Sequence, residues 1–318
     1  MNYFGLKRLY KTHGESLIKI ASDVWATGKV LLGPHLEELE TSLKKFTQRK
    51  YAIGVGSATD GIFFALKANG IGRGHKVICP VLSYTATRDA ILRTGADIIF
   101  IDTDHKGRLN LNDLPKADAI VYVNLYGNPL DYDKLKSYGT LLVEDGAQSM
   151  GASYKNIPSG KLGDISIFSF DPTKNLPCFG SGGMVFTDDE NIATSIIKHR
   201  KGFYNSVLAE DHAAQLNYLL SYFDYWQEER RLVAQAYFDL LPQTNFIKPD
   251  SDTIGGYQKL VVTTDKRKEG FKIHYKETLD PTGIYPNADQ LTKTAMSLPI
   301  HPFLTYEEIE NICLSIRQ

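Results

Sequence analysis

The chain has 318 residues, 42% of them hydrophobic and 23% charged, with a formal net charge of −1. That length suits one large domain plus a smaller one, and the proportions are ordinary for a globular protein. A near-neutral balance gives no electrostatic footprint for nucleic acid or an anionic membrane, and no apolar run is long enough to cross a bilayer. The opening Met1-Asn2-Tyr3-Phe4-Gly5-Leu6-Lys7-Arg8 lacks the apolar core and cleavage-like end of a signal peptide. Cys79, Cys178 and Cys313 are odd in number and widely spaced, which predicts reduced thiols and a cytoplasmic location. None forms a CxxC pair and the eight histidines show no ligand spacing, so no metal site is expected.

In chain order, hydrophobic spacing predicts an amphipathic helix over 13–27 and a second over 34–46, with Leu36, Leu39, Leu43 and Phe46 on one face. A repeating unit then starts with a strand over 51–55, a turn over 56–59 and a helix over 61–69. Further strands are predicted over 77–79, 97–101, 119–124, 141–144, 165–170 and 184–187, separated by helical or turn segments such as 86–93 and 132–136. Unbroken apolar runs alternating with helices predict an α/β fold with a mostly parallel central sheet covered on both faces. Helices over 191–199 and 224–241 follow, the second closed by Pro242. The rest reads as a strand over 259–263, irregular connections and a helix over 305–316, with Thr305 and Glu308 spaced as a capping box. The predicted division is a large domain, 1–222, and a small C-terminal α+β domain, 223–318.

Four segments at strand ends carry candidate chemistry. Gly54-Val55-Gly56-Ser57-Ala58-Thr59-Asp60-Gly61 joins a strand to a helix, where free amides and the positive helix end can receive a phosphate. The glycine spacing does not fit a dinucleotide fingerprint, and the next strand ends in Ile78-Cys79-Pro80 without the required acid. A P-loop is excluded because Ile62 follows Gly61. That leaves a single-phosphate cup, with Thr59 adding a hydroxyl, or a plain tight turn. Ser83-Tyr84-Thr85-Ala86-Thr87 lies at the carboxyl edge of the second strand, where ligands bind in such sheets. Tyr84 there either stacks on a flat ring or caps the core. Glu144-Asp145 ends an apolar strand, so a carboxylate points into the crevice or caps the next segment. Gln148 lies three residues further on, within reach of a cofactor's ring oxygen. Lys174 follows the strand that runs to Phe170, five residues after Ser169, whose hydroxyl can join the cup. Gly180, Gly182 and Gly183 permit a sharp reversal into the next strand. An amine at one strand end and a carboxylate at another suit a pyridoxal-phosphate enzyme: the amine forms a Schiff base, and the carboxylate keeps the ring nitrogen protonated.

Together these pieces resemble the DegT/DnrJ/EryC1/StrS family of sugar-nucleotide aminotransferases, of pyridoxal-phosphate transferase fold type I. Further matching pieces are Gly28-Lys29-Val30-Leu31-Leu32-Gly33-Pro34, Tyr126-Gly127-Asn128-Pro129, Tyr285-Pro286-Asn287-Ala288 and Ser297-Leu298-Pro299. The resemblance implies that Lys174 and Asp145 are catalytic. Lys174 carries the cofactor and moves protons, and Asp145 pairs with the ring nitrogen. It further implies that Gln148 contacts the ring oxygen and Tyr84 stacks on the ring. Ala58, Thr59 and Asp60, through backbone amides, and Ser169 bind the phosphate. Asn217 reaches the phosphate of a neighbouring subunit, so a homodimer with shared sites is implied. The substrates implied are a nucleotide-linked keto-sugar and an amino-acid donor, glutamate. Leu219 stands where the family has arginine, Ser181 where glutamate is common, and the stretch between about 243 and 285 is short. The dehydratase branch has histidine in place of the lysine, so Lys174 favours transamination. An NAD-dependent oxidoreductase and a non-catalytic cofactor-binding regulator are the alternatives.

Overall fold

The computed structural model describes residues 3–202 and 204–317. Helix α1 (Leu6–Ala26) starts seven residues before its predicted position, because Leu9, His13, Leu17, Ala21 and Val24 form one buried face. The polar Arg8 on that first turn masks the pattern, and it pairs with Glu308 far along the chain. Helix α2 (Pro34–Thr47) opens on proline, whose fixed φ suits a first turn, and buries Leu36, Leu39 and Leu43.

Strands and helices then alternate: β1 (Tyr51–Val55), α3 (Ala58–Ala68), β2 (Lys76–Pro80), α4 (Thr85–Thr94), β3 (Asp97–Ile101) and β4 (Ala119–Val123). A short α5 (Tyr132–Lys136) leads to β5 (Leu141–Asp145), the two-residue strands β6 (Ser153–Tyr154) and β7 (Ile157–Pro158), β8 (Ile165–Ser169) and β9 (Gly183–Thr187). Helices α6 (Glu190–Lys201), α7 (Glu210–Leu220) and α8 (Phe223–Leu240) follow. The chain ends with β10 (Thr253–Ile254), β11 (Leu260–Thr263), α9 (Pro286–Thr294), β12 (Ala295–Leu298) and α10 (Tyr306–Arg317).

Seven strands form the main sheet in the order β1-β9-β8-β5-β4-β2-β3. Only β9 runs against its neighbours β1 and β8; the other pairs are parallel. Period-two alternation splits the strands between two cores. Ile165, Ile167 and Val185 face Ile62, Phe63, Ala90 and Ile196 of α3, α4 and α6. Phe168, Met184 and Phe186 face Leu39, Leu43 and Leu216 of α2 and α7. A third cluster packs Val233, Tyr237, Leu260, Val262, Met296, Leu298, Ile309 and Cys313. It joins α8 and α10 to the antiparallel pair of β11 and β12, a smaller C-terminal α+β layer. The expected capping box forms: the Thr305 amide donates to Glu308 at 3.0 Å, and the Glu308 amide donates to the Thr305 hydroxyl at 3.3 Å.

Helices α7 and α9 and strand β12 were not legible in the sequence. Glu210 and Gln215 are buried on α7 and interrupt its apolar stripe. Strand β12 exists only because it pairs with β11, about thirty residues earlier. No helix among the described residues is long and apolar enough to cross a membrane, and the three cysteines are free and buried.

Candidate active site

The C-terminal ends of β1, β5 and β8 lie at one edge of the sheet, where crossover chains leave a crevice. A cavity of about 520 Å³ opens there, within the usual range for small-molecule sites.

At the end of β5 the pleat sends two acids to opposite faces. Glu144 points away from the cavity and is fully buried. It accepts from Asn124 Nδ2 at 2.8 Å, Ser159 Oγ at 2.6 Å, and the Gly160 and Leu162 amides at 3.0 Å. That carboxylate ties the strand to its following loop. Glu144→Gln turns an amide donor toward those donors, so a loss of about 2–3 kcal/mol is expected. Denaturant midpoints would measure it, and an unchanged midpoint would rule out the role.

Asp145 faces the cavity. It accepts from Thr87 Oγ1 at 2.9 Å and from the Ala147 amide at 3.1 Å. Ser83 Oγ lies 3.0 Å from Thr87 Oγ1 and completes the chain. Burial raises the Asp145 pKa, while those two donors and the Lys174 charge pull it down. Thr87 was missed in the sequence; its only signal was a hydroxyl in the first turn after a strand.

Lys174 lies in the β8–β9 connection. The Lys174 amide closes a turn onto the Asp171 carbonyl at 2.9 Å. The next residue, Asn175, is clamped by the carbonyls of Met150 at 3.1 Å and Gly256 at 2.7 Å. The side chain enters the cavity, and its Nζ makes no hydrogen bond among the described residues. Burial lowers its pKa, opposed by Asp145 and Asp171. Ser169, Thr173 and Ser181 also line the cavity.

The start of α3 forms another wall, with Ser57, Ala58 and Thr59 lining the cavity. Asp60 does not line it. Its amide donates to the N-cap Ser57 Oγ at 3.1 Å, and its carboxylate accepts from Ser206 Oγ at 2.6 Å and pairs with Arg93. The third amide of this helix is thus occupied by the cap, so the expected contribution of Asp60 is structural here. Gly180, Gly182 and Gly183 carry the chain from β8 back into the antiparallel β9, as expected, and none has a positive φ. They are small because space is short: a Cβ on Gly183 would lie 2.7 Å from the Ala58 nitrogen, and one on Gly182 2.6 Å from Leu208.

Tyr84, 68% exposed, stands at the start of α4 with its ring on the cavity. Gln148 lines the cavity but its carboxamide is engaged. Its Oε1 accepts from the Tyr126 amide and from Lys259 Nζ, each at 2.9 Å, and its Nε2 donates to Tyr275 OH at 3.0 Å. Phe4, Lys259, Lys272, His274 and Tyr275 complete the wall from outside the large sheet. Sequence reading assigned none of the five to the site: Lys259 was read only as the start of a strand, and Lys272, His274 and Tyr275 fall in the irregular connections after it. Burial and the neighbouring lysines push the His274 pKa down to about 2. Asn217, on α7, lies apart from this cavity: its Nδ2 donates to the His35 carbonyl at 2.9 Å and to Glu38 at 3.2 Å, and its buried Oδ1 is unpaired. Leu219 is fully buried. No group of metal-ligating side chains occurs among the described residues.

The sequence profile of the DegT/DnrJ/EryC1/StrS aminotransferase family matches residues 11–284. The chain belongs to this family. It is 32% identical, over 91% of its length and 92% of the relative's, to a UDP-2-acetamido-2-deoxy-3-oxo-D-glucuronate aminotransferase of Pseudomonas aeruginosa. A pleiotropic regulatory protein of Geobacillus stearothermophilus is 29% identical over 98% of this chain and 96% of that protein. That alignment spans 360 positions, so the relative carries segments this 318-residue family member lacks. The crystal structure of S. venezuelae DesV in complex with a ketimine intermediate superposes with a TM-score of 0.93, 29% identity, and coverage of 100% of this chain and 98% of that one. The fold is therefore that of the family's pyridoxal-phosphate aminotransferases.

Proposed function

We propose that this protein is a pyridoxal-phosphate-dependent aminotransferase that moves an amino group from glutamate to the keto-sugar of a nucleotide-linked sugar. One observation carries this reading: an unbonded, half-buried lysine amine and a buried carboxylate face the same cavity, beside the open amides of a helix start. The residues fit the cofactor. Lys174 would hold it through Nζ, Asp145 would pair with its ring nitrogen, and Tyr84 would cover the ring. Ser57, the Ala58 and Thr59 amides and Ser169 would hold its phosphate. Gln148 lies beside the ring oxygen in this reading. When bound, the cofactor supplies an electron sink for the carbon that gains or loses the amine.

The protein's own part is proton handling and charge placement. Lys174 Nζ, its pKa lowered by burial, would move the proton to and from the reacting carbon. Asp145 keeps a proton on the ring nitrogen, held in place by Thr87 and Ala147. The name of the P. aeruginosa relative supports a UDP-linked 3-keto sugar as acceptor, with amination at C3. We place the domain boundary at 222/223 and the protein in the cytoplasm, the latter supported by its three free thiols.

A screen of 3-keto and 4-keto nucleotide sugars with glutamate, read by mass spectrometry, tests the reading. An amino-sugar product is expected, and none from any keto-sugar would refute it. The regulatory name of the G. stearothermophilus relative favours one second reading, a cofactor-binding regulator without turnover. Bleaching of the visible cofactor band by glutamate excludes it; a band that glutamate leaves unchanged supports it.

We also propose a homodimer in which Asn217 serves the partner's site. Its place outside the cavity of its own chain supports this. Sedimentation should give a dimer that the cofactor stabilises, because a ligand held across an interface favours assembly. Mixing Lys174→Ala chains with Asn217→Ala chains should recover part of the lost activity. A monomer with full activity would overturn the shared site.

A further inference from the structure

The cavity holds two lysines, Lys259 and Lys272, that the cofactor as placed above does not use. Lys174, Lys259 and Lys272 line the cavity, against only two carboxylates, Asp145 and Asp171. Lys272 is exposed at the rim, its Nζ 4.6 Å from the centre of the Phe4 ring. Lys259 is deeper. It immediately precedes β11, and its Nζ lies 6.0 Å and 5.6 Å from the ring centres of Tyr126 and Tyr275. Its only hydrogen bond among the described residues goes to Gln148 Oε1 at 2.9 Å, and no carboxylate pairs with it. An ammonium has three donors, so two remain for a ligand.

We propose that Lys259 binds the carboxylate of the amino-acid donor. The inference rests on the aminotransferase reading and adds a residue to it. Gln148, which holds Lys259, lines the same cavity as Asp145 and Lys174, and Lys259 stands close enough to Lys174 to feel its charge. In an α-amino acid the carboxylate is attached to the carbon that carries the amine, so its partner must sit at that depth. The diphosphate of a nucleotide sugar is separated from the reacting carbon by the sugar ring and suits the rim, where Lys272 is. Burial and the charges of Lys174 and Lys272 hold the Lys259 amine well below its usual pKa, and an anion bound beside it raises that pKa again. Tyr126, Tyr275 and His274, the other titratable groups packed around it, give it no negative partner at neutral pH.

Lys259→Met in the cofactor-loaded protein should raise the KM for glutamate by at least about tenfold, as expected for losing a charge-assisted hydrogen bond. The loss should fall on KM rather than on the limiting rate of the glutamate half-reaction, and the KM for the keto-sugar should stay within about threefold of the wild-type value. Glutarate, which has the carboxylates and no amine, gives a reading independent of turnover: its affinity by calorimetry should fall by the same factor. Lys259→Arg should keep most of the binding. Lys259→Gln, a second variant of similar length, should lose it if Lys259→Met fails to fold. Unchanged glutamate KM and glutarate affinity would overturn the proposal. So would a loss that falls instead on the keto-sugar or on uridine diphosphate, since Lys259 would then serve the acceptor. A wild-type protein that binds glutarate through Lys259 but never reacts with glutamate would leave this subsite standing and remove the aminotransferase reading.

Discussion

Lys174→Ala is expected to lower amino-group transfer by at least about ten-thousand-fold, the upper end of what a positioned acid–base group contributes. The residue is asked to do two things, hold the cofactor and move a proton, and no other side chain is placed for both. Lys259 also lines the cavity, but its amine is tied to Gln148, whereas Lys174 Nζ is unbonded. Borohydride reduction should therefore fix the cofactor's mass on the peptide that contains Lys174. Mass on the Lys259 peptide, or turnover within tenfold of wild type in Lys174→Ala, would sink the assignment. The same residue makes a stability prediction. Burial lowers the Lys174 pKa below 10.5, so the folded protein carries an unfavourable ammonium at pH values under that lowered pKa. Between the lowered pKa and 10.5 the unfolded chain binds more protons, and stability rises with pH across that window. Lys174→Met should thus raise the melting temperature of the cofactor-free protein at neutral pH. The gain is modest because the amine is partly solvated, and it should vanish above about pH 10.5.

Asp145→Asn is expected to lower turnover by at least about a hundredfold, the effect of removing one preorganised electrostatic partner. The substitution keeps the shape and the acceptor for the Ala147 amide, and removes the charge that holds the ring proton. Glu144 cannot substitute for it, since the strand pleat turns that acid to the other face, where four donors hold it. Near-normal turnover in Asp145→Asn would mean that no carboxylate pairs with the ring nitrogen. Single-turnover rates with glutamate measure this without interference from product release. Desolvation raises the Asp145 pKa above 3.8, so its charge costs stability at neutral pH, and the cost fades as pH falls through the raised value. The cofactor-free Asp145→Asn protein should accordingly melt higher than wild type near pH 7, a trade of stability for activity at the site.

The local parts of this protein can be read from its amino-acid order. Apolar runs of five residues separated by amphipathic segments specify a parallel sheet, because only a strand covered on both faces can be apolar throughout, as β4 is. Lys174, Asp145, Ser169 and the start of α3 were legible because each stands at or shortly after the end of a strand, and parallel strands deliver their ends to one edge. The fold around them decided everything that depends on distant pairing. Adjacent acids in one strand are indistinguishable as text, and only the donors contributed by Ser159, Gly160 and Leu162 decide that Glu144 is structural and Asp145 faces the cavity. Asp60 reads as a phosphate-site residue until Ser57, Ser206 and Arg93 are seen to occupy it. Lys259, at the start of a predicted strand, and Tyr275, in an irregular connection, show no local sign of the site and lie more than eighty residues after Lys174. Their side chains reach the cavity only because β11 pairs with β12 and the C-terminal layer packs against the sheet edge, a long-range contact that no local pattern encodes.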